Sequence, residues 1–257
     1  MMSYSITKNF IPGLPTFPYR HGVGAYEGVV SHCTDSSNRS GGDTPSKERA
    51  YEARTFNQAF VHFFVGVENG DAVILQVAST DYGAYGAGPV ANKRFVHVEL
   101  CMYDDEALFS KAYDAYVYVL AKLLHDRKLD VTKAAADGSG TLWSHKDVNK
   151  FLGGTTHEDP IAYLAEHNIS WNQHVKNVAS QYSSLTSNKL KIVSAASAAI
   201  LMDGPDRQHA NNIGTVPLGT IVENLGKVQG KNNKDGYYKI SYKGKTGYIT
   251  ARFGKPL

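Results

Sequence analysis

The stretch Leu142–Leu164, LWSHKDVNKFLGGTTHEDPIAYL, gathers two histidines, three acids, a glycine pair and a proline into 23 residues. His145, His157 and Asp159 are residue types that hold an ion such as Zn2+. A catalytic site of that kind takes three protein ligands and leaves one position open. His145 and Asp159 stand 14 residues apart, too far for one helical face, so the ligands must be carried on a loop. Gly153-Gly154 gives the chain a place to turn back. Surface loops share this composition, and the stretch alone leaves both a metal site and a solvated polar loop open.

A third ligand must come from another element. His32 closes an apolar run in VVSHCTDSS, a strand end facing a Ser/Asp-rich loop, where catalytic groups are often mounted. The alternative is a histidine bonded only to backbone. Phe95–Leu100 reads FVHVEL and places His97 and Glu99 on one face of a strand. A carboxylate there is costly unless it is paired or used, and a base beside an activated water is one such use. His97 reads as a packed, hydrogen-bonded strand residue. Cys33 alternates to the face opposite His32. His21, His125, His167, His174 and His209 read as surface or structural.

The elements that must position these groups can be read from periodicity. Glu27–Cys33, Phe60–Val67, Asp71–Ala78 and Phe95–Leu100 are strand-like, and Asn69-Gly70 between the middle two is a hairpin signal. Asp104 to about Arg127 reads as a long helix with Asp104 or Asp105 as N-cap and Leu108, Ala112, Ala115, Val119 and Leu123 at helical spacing. Tyr51–Asn57 ends a shorter helix, and Ile161–His167 and Trp171–Tyr182 are helical, the latter capped by Ser170. This order predicts an α/β domain over 1–180, a mixed central β-sheet flanked by helices. The Ser/Thr/Asn-rich run 181–189 reads as a linker. Beyond it, 190–257 shows short β-type runs at Lys191–Val193, Gly219–Glu223, Tyr237–Tyr242 and Thr246–Thr250, predicting a small all-β barrel.

Composition narrows the function classes. The 257 residues are 42% hydrophobic and 20% charged, enough for a folded core. No apolar run approaches the length of a membrane span, so no membrane insertion is expected. Cys33 and Cys101 make no disulfide framework and read as buried thiols of a reducing compartment. Net charge is +3, but 189–257 carries 11 Lys+Arg against 4 Asp+Glu, leaving 16 against 20 elsewhere. A basic tail meets anionic polymers: nucleic acid, membranes or cell wall. The N-terminal MMSYSITKNFIPGLP has no charged-then-apolar signal pattern, so synthesis in the cytoplasm without a signal peptide is expected.

With these residues in hand, VVSHCT, Phe60–Val67, Asn92–Leu100, SHKDV and HEDP together resemble the zinc N-acetylmuramoyl-L-alanine amidases, the phage endolysins and bacterial autolysins related to peptidoglycan-recognition proteins. FIPGLPTFPYRHGVGAYEGVVSHCT and AYGAGPVANKRFVHVELC resemble amidase endolysins of phages infecting Gram-positive bacteria, and the likeness covers about residues 9–180. The resemblance implies that His32, His145 and Asp159 bind Zn2+, that Glu99 is the general base and that His157 serves catalysis. Many relatives have lysine at that last position, so His157 is a departure and also a competing ligand. His62 matches a supporting histidine on a neighbouring strand, and with Tyr85 it is placed among the substrate contacts. Gly86 stands where relatives carry a histidine.

The last segment, with Gly214–Thr220 and GYYKISYKGKTGYI (Gly236–Ile249), resembles bacterial SH3-like cell-wall-binding domains. Tyr237, Tyr238 and Tyr248 are its candidate wall contacts. The combined expectation is an endolysin. It cleaves the amide between N-acetylmuramic acid and L-alanine, takes peptidoglycan and no nucleic acid as partner, and acts at the wall after release. The rivals are a zinc endopeptidase on the stem peptide and a non-catalytic peptidoglycan-recognition protein.

Overall fold

Apolar, β-branched runs supply six strands to the first unit: β1 (Ile6–Lys8), β2 (Gly28–Cys33), β3 (Phe63–Glu68), β4 (Asp71–Gln76), β5 (Phe95–Leu100) and β6 (Leu142–Ser144). The computed structural model describes residues 4–186 and 189–257, which divide at Thr186 into two units. In the first, the strands form a single mixed sheet in the order β1-β4-β3-β5-β2-β6. Only β3 and β4 are antiparallel. They are joined by the expected two-residue turn, in which Asn69 and Gly70 have φ of 52° and 83°, the left-handed pair that a type I′ hairpin requires.

Alternation sorts the sheet into two faces. Val29, Cys33, Val65, Val96, Val98 and Leu100 enter one buried core with the long helix α3 (Glu106–Asp126), numbered after α1 (Pro45–Thr55) and α2 (Pro89–Asn92). The expected stripe is there: Ala112, Ala115, Val119 and Leu123 are buried. The cap is Asp105, whose carboxylate accepts the N–H groups of Ala107 and Leu108 at 2.9 Å each. The phenol of Tyr116 in α3 donates to the backbone carbonyl of His32 at 2.9 Å, tying the helix to the end of β2. The opposite face carries Val30, Phe95 and Trp143 in a separate core, and by the same alternation His32, His97 and Glu99.

Three further helices complete this unit: α4 (His145–Phe151), α5 (Ile161–Glu166) and α6 (Trp171–Thr186). The expected linker is corrected in part, because α6 runs through Ser180–Thr186. Trp171, Val175, Val178, Tyr182 and Leu185 recur at helical spacing and pack on the core. Ser183 and Ser184 direct their hydroxyls to the carbonyls of Ala179 and Ser180 at 2.9 Å, so a serine-rich run satisfies itself inside a helix. Residues 187 and 188 lie outside the described residues.

The second unit is an antiparallel sheet of β7 (Lys189–Ile192), β8 (Ala198–Met202), β9 (Asn212–Pro217), β10 (Ile221–Val228), β11 (Tyr237–Tyr242), β12 (Lys245–Thr250) and β13 (Gly254–Pro256), ordered β13-β7-β10-β11-β12-β8-β9. No pairing closes this ladder into a barrel among the described residues. Its core is Leu190, Ile192, Leu201, Val216, Ile240 and Ile249 with smaller neighbours. Tyr237 is corrected here: it is 0% exposed, and its hydroxyl accepts the N–H of Arg207 and donates to the carbonyl of Lys231. It is a core residue, not a surface contact. Tyr238 and Tyr248 are half-buried.

The cap geometry separates two aspartates that sequence leaves equivalent. Asp104 is exposed and paired with Arg39, an interaction of little net worth. Replacing Asp105 with Ala is expected to cost about 1 kcal/mol in urea unfolding, while Asp104→Ala changes stability by less than about 0.5 kcal/mol. Equal losses would contradict the assignment.

Candidate metal centre and cleft

The expected ligands converge at the C-terminal edge of the parallel strands. In register, His32 of β2 faces Glu99 of β5, and Ser31 faces Ser144 of β6. His145 therefore emerges beside His32 as the first residue of α4. A capping box fixes that start. Ser144 Oγ accepts the N–H of Asp147 at 3.0 Å, and Asp147 Oδ2 accepts the N–H of Ser144 at 3.1 Å. After α4 the chain turns back through Gly153 and Gly154, with φ of 69° and 79°. This return brings the carbonyl of Asp159 to accept the N–H of His145 at 3.0 Å.

Among the described residues, one group of His, Cys, Asp and Glu has ligand atoms close enough to share a metal: His32, His145 and Asp159. His32 Nδ1 lies 3.1 Å from His145 Nδ1 and 3.1 Å from Asp159 Oδ2, and His145 Nδ1 lies 2.9 Å from Asp159 Oδ1. Ligands of a tetrahedral zinc at its usual bond lengths are about 3.3 Å apart, so the spacing fits. Donor chemistry fits too. Two imidazole nitrogens and a carboxylate facing one another present lone pairs that a proton satisfies only in part and a divalent cation satisfies together. The outward nitrogens are engaged as well: His145 Nε2 is 2.8 Å from the Thr155 hydroxyl, and His32 Nε2 is 3.1 Å from His97 Nδ1.

Burial dominates the electrostatics. It holds the His32 imidazole below its ordinary pKa despite Asp159 beside it. Burial also opposes ionisation of Asp159, but hydrogen bonds to His145 and His32 outweigh it and keep the carboxyl well below its usual range. Glu99 is pushed well above the carboxylate range, first by burial and then by Asp159, Glu52 and Glu48.

His157 is exposed and stacks on the His145 ring at 4.9 Å between centroids with planes 9° apart. It opens onto a cleft of about 720 Å³ that Glu99, His145 and Asp159 also line. The far wall is α1, with Glu48, Tyr51 and Glu52; a short helix ending over Tyr51–Asn57 was expected, but its place in the cleft was not. The signal was present: Glu48, Glu52 and Thr55 recur at helical spacing behind a Thr44-Pro45 start, but few apolar residues mark the face. Tyr85 is 38% exposed and packs on Phe17 and Phe60. Phe60 itself lines the cleft. His62 is corrected. It is 0% exposed, with Nδ1 accepting the backbone N–H of His97 at 3.0 Å and Nε2 2.9 Å from the Tyr82 carbonyl, so no face of it is left for a substrate.

Glu52 gives this wall a measurable pH signature. Burial lifts its pKa to about 8 against the Val61 N–H that it accepts, with Glu48 adding to the rise. A carboxyl raised in the folded state stabilises the fold below its unfolded pKa, and that stability is lost as pH climbs through 8. Glu52→Gln keeps the acceptor and removes the charge. In chelating buffer, its stability relative to the native protein is expected to rise by about 1.4 kcal/mol per pH unit between about pH 5 and 8. Parallel urea-unfolding curves would contradict this.

The family model for N-acetylmuramoyl-L-alanine amidase matches residues 23–162. The chain is 38% identical over 187 residues to Protein Ami of Listeria monocytogenes serotype 1/2a, covering 73% of this chain and 20% of that protein. It is 33% identical over its whole length to the bifunctional autolysin of Staphylococcus epidermidis, covering 18% of that protein. The chain thus spans about a fifth of the length of these relatives. Among solved structures, the Staphylococcus aureus hydrolase AmiA in complex with its ligand superposes with TM-score 0.66 at 34% identity, over 72% of this chain and 87% of that one. The PlyG catalytic domain shares the fold at TM-score 0.51 and 18% identity. The matched segment holds His32, Glu99, His145 and Asp159, and the chain belongs to the N-acetylmuramoyl-L-alanine amidase family.

Proposed function

We propose that the chain is a zinc-dependent peptidoglycan hydrolase that cleaves the amide between the lactyl group of N-acetylmuramic acid and L-alanine. The observation that carries this reading is the meeting of His32, His145 and Asp159 beside a cleft that Glu99, His145 and Asp159 line. His32, His145 and Asp159 would hold the ion. The chemistry a bound zinc supplies is Lewis-acid: activation of a water and polarisation of the amide carbonyl.

The chain's own groups do the rest. Glu99, which lines the cleft with His145 and Asp159, takes a proton from the attacking water on a carboxylate oxygen and returns it to the departing alanine nitrogen. His157, stacked on His145 and open to the cleft, donates a hydrogen bond to the oxygen that becomes negative as water adds. α1 forms one wall of the cleft with Glu48, Tyr51 and Glu52, and Tyr85 packs on Phe60, which lines it.

The second unit is read as an SH3-like wall-binding module. Its excess of basic residues suits an anionic polymer, with Tyr238 and Tyr248 as contacts, and tethering there raises the local concentration of the first unit at the wall. Phage lysins and wall autolysins share this reaction, and the autolysin named among the relatives acts in that setting by its name. No described helix is long and apolar enough to cross a membrane.

Mass spectrometry of digested peptidoglycan is expected to show intact stem peptides with a free alanine amine. Cuts within the stem would favour the endopeptidase instead. Glu99→Gln is expected to lower the hydrolysis rate by about 100-fold or more while leaving zinc content unchanged. An undiminished rate would remove Glu99 from the chemistry.

A further inference from the structure

Behind the metal centre lie two fully buried histidines that the reaction does not use directly. His62 and His97 are both 0% exposed, and their rings stack at 5.9 Å with planes 8° apart. The protons in this stack can be placed. His62 Nδ1 accepts the backbone N–H of His97 at 3.0 Å, so its own proton is on Nε2, within reach of the Tyr82 carbonyl at 2.9 Å and the Tyr19 hydroxyl at 3.2 Å. The ring of His62 is therefore fixed in tautomer and rotation from both ends.

His97 passes this order on to the ligand. Its Nδ1 lies 3.1 Å from His32 Nε2, and one proton serves that contact. His32 turns Nδ1 toward His145 and Asp159. Lending that lone pair to an ion puts the His32 proton on Nε2, donated to His97 Nδ1. The proton of His97 is then on its own Nε2, a buried atom with no hydrogen-bond partner. Such an orphan destabilises the fold. An apolar side chain would avoid the loss, so packing does not account for a histidine here.

The loop before β5 is shaped to this ring. A Cβ at Gly86 would sit 2.6 Å from His97 Cγ and 2.7 Å from its Nδ1, so a side chain at 86 and the observed ring exclude each other. Gly86 also lines the cleft.

We infer that His97 is the positioning residue of the metal centre: its Nδ1 accepts the Nε2 proton of His32 and holds that ligand in the one tautomer and rotation that present Nδ1 to the ion, with His62 and Gly86 clamping the ring. The inference rests on the reading that His32, His145 and Asp159 bind zinc. Ligand histidines held by such an acceptor lose about 10–100-fold in metal affinity when the acceptor is removed.

The test is zinc affinity by chelator competition on the full chain, with native protein, His97→Phe and His97→Asn in parallel. Phe keeps a ring of similar outline without the acceptor, and the Asn oxygen stands where Nδ1 stood. His97→Phe is expected to bind zinc about 10–100-fold more weakly. His97→Asn is expected to recover most of the affinity. Native-like affinity in His97→Phe would overturn the inference and leave the metal site standing, whereas a native protein that takes up no zinc would overturn the site itself. Should His97→Phe not fold, proton–nitrogen NMR of zinc-loaded native protein decides: a slowly exchanging His32 Nε2–H supports the inference, and a rapidly exchanging one overturns it.

Discussion

The first unit is organised around one contact, the meeting of two imidazole nitrogens and a carboxylate at about 3 Å in a nearly dry place. His32 is 1% exposed and His145 6%, so little water shares their lone pairs. Three separated parts of the chain must be held to a fraction of an ångström for this to happen. Parallel register sets His32 beside the start of α4. The Ser144–Asp147 capping box sets where that helix begins. The return through Gly153-Gly154 lets Asp159 bond both to the backbone N–H of His145 and, through Oδ2, to the N–H of Cys33. On the other face, α3 fills the core and reaches through Tyr116 to the carbonyl of His32.

Around this contact the charges are layered. Neutral histidines lie beneath it, since burial draws the His62 pKa down to about 4. Carboxyls with raised pKa values line the cleft from α1, Glu52 at about 8 and Glu48 at about 7, by burial first. Asp159 alone is driven the other way, by the two histidines it faces. The centre is therefore an anionic point in surroundings that resist charge, the setting in which a cation is held most strongly.

Much of this was legible in the sequence, for identifiable reasons. FVHVEL, Asn69-Gly70 and the Asp104–Arg127 stripe are strong periodic signals, and each became the expected element at β5, the β3–β4 turn and α3. His32 and Glu99 stood out because polar groups in or at the end of an apolar strand break its pattern, and His145 and Asp159 as candidates in a His/Asp-rich loop, while their grouping as one set came from the family resemblance. What periodicity could not show was burial decided by distant partners. His62 and Tyr237 look like surface polar residues until the groups that receive their hydrogen bonds are known. Helix α1 has few apolar residues, and its buried carboxyl Glu52 reads as solvated in isolation. The serine-rich end of α6 reads as linker because its apolar stripe, Tyr182 and Leu185, is sparse. In the second unit, β8 and β9 border turns that hide short strands.

A zinc centre built from His32, His145 and Asp159 is the claim on which the proposed chemistry stands. Metal analysis of the purified chain beside His32→Ala and Asp159→Ala tests it most directly. The account predicts about one zinc per native chain and a loss of nearly all of it in each variant. Native protein without zinc, or variants that retain it in full, would contradict the account.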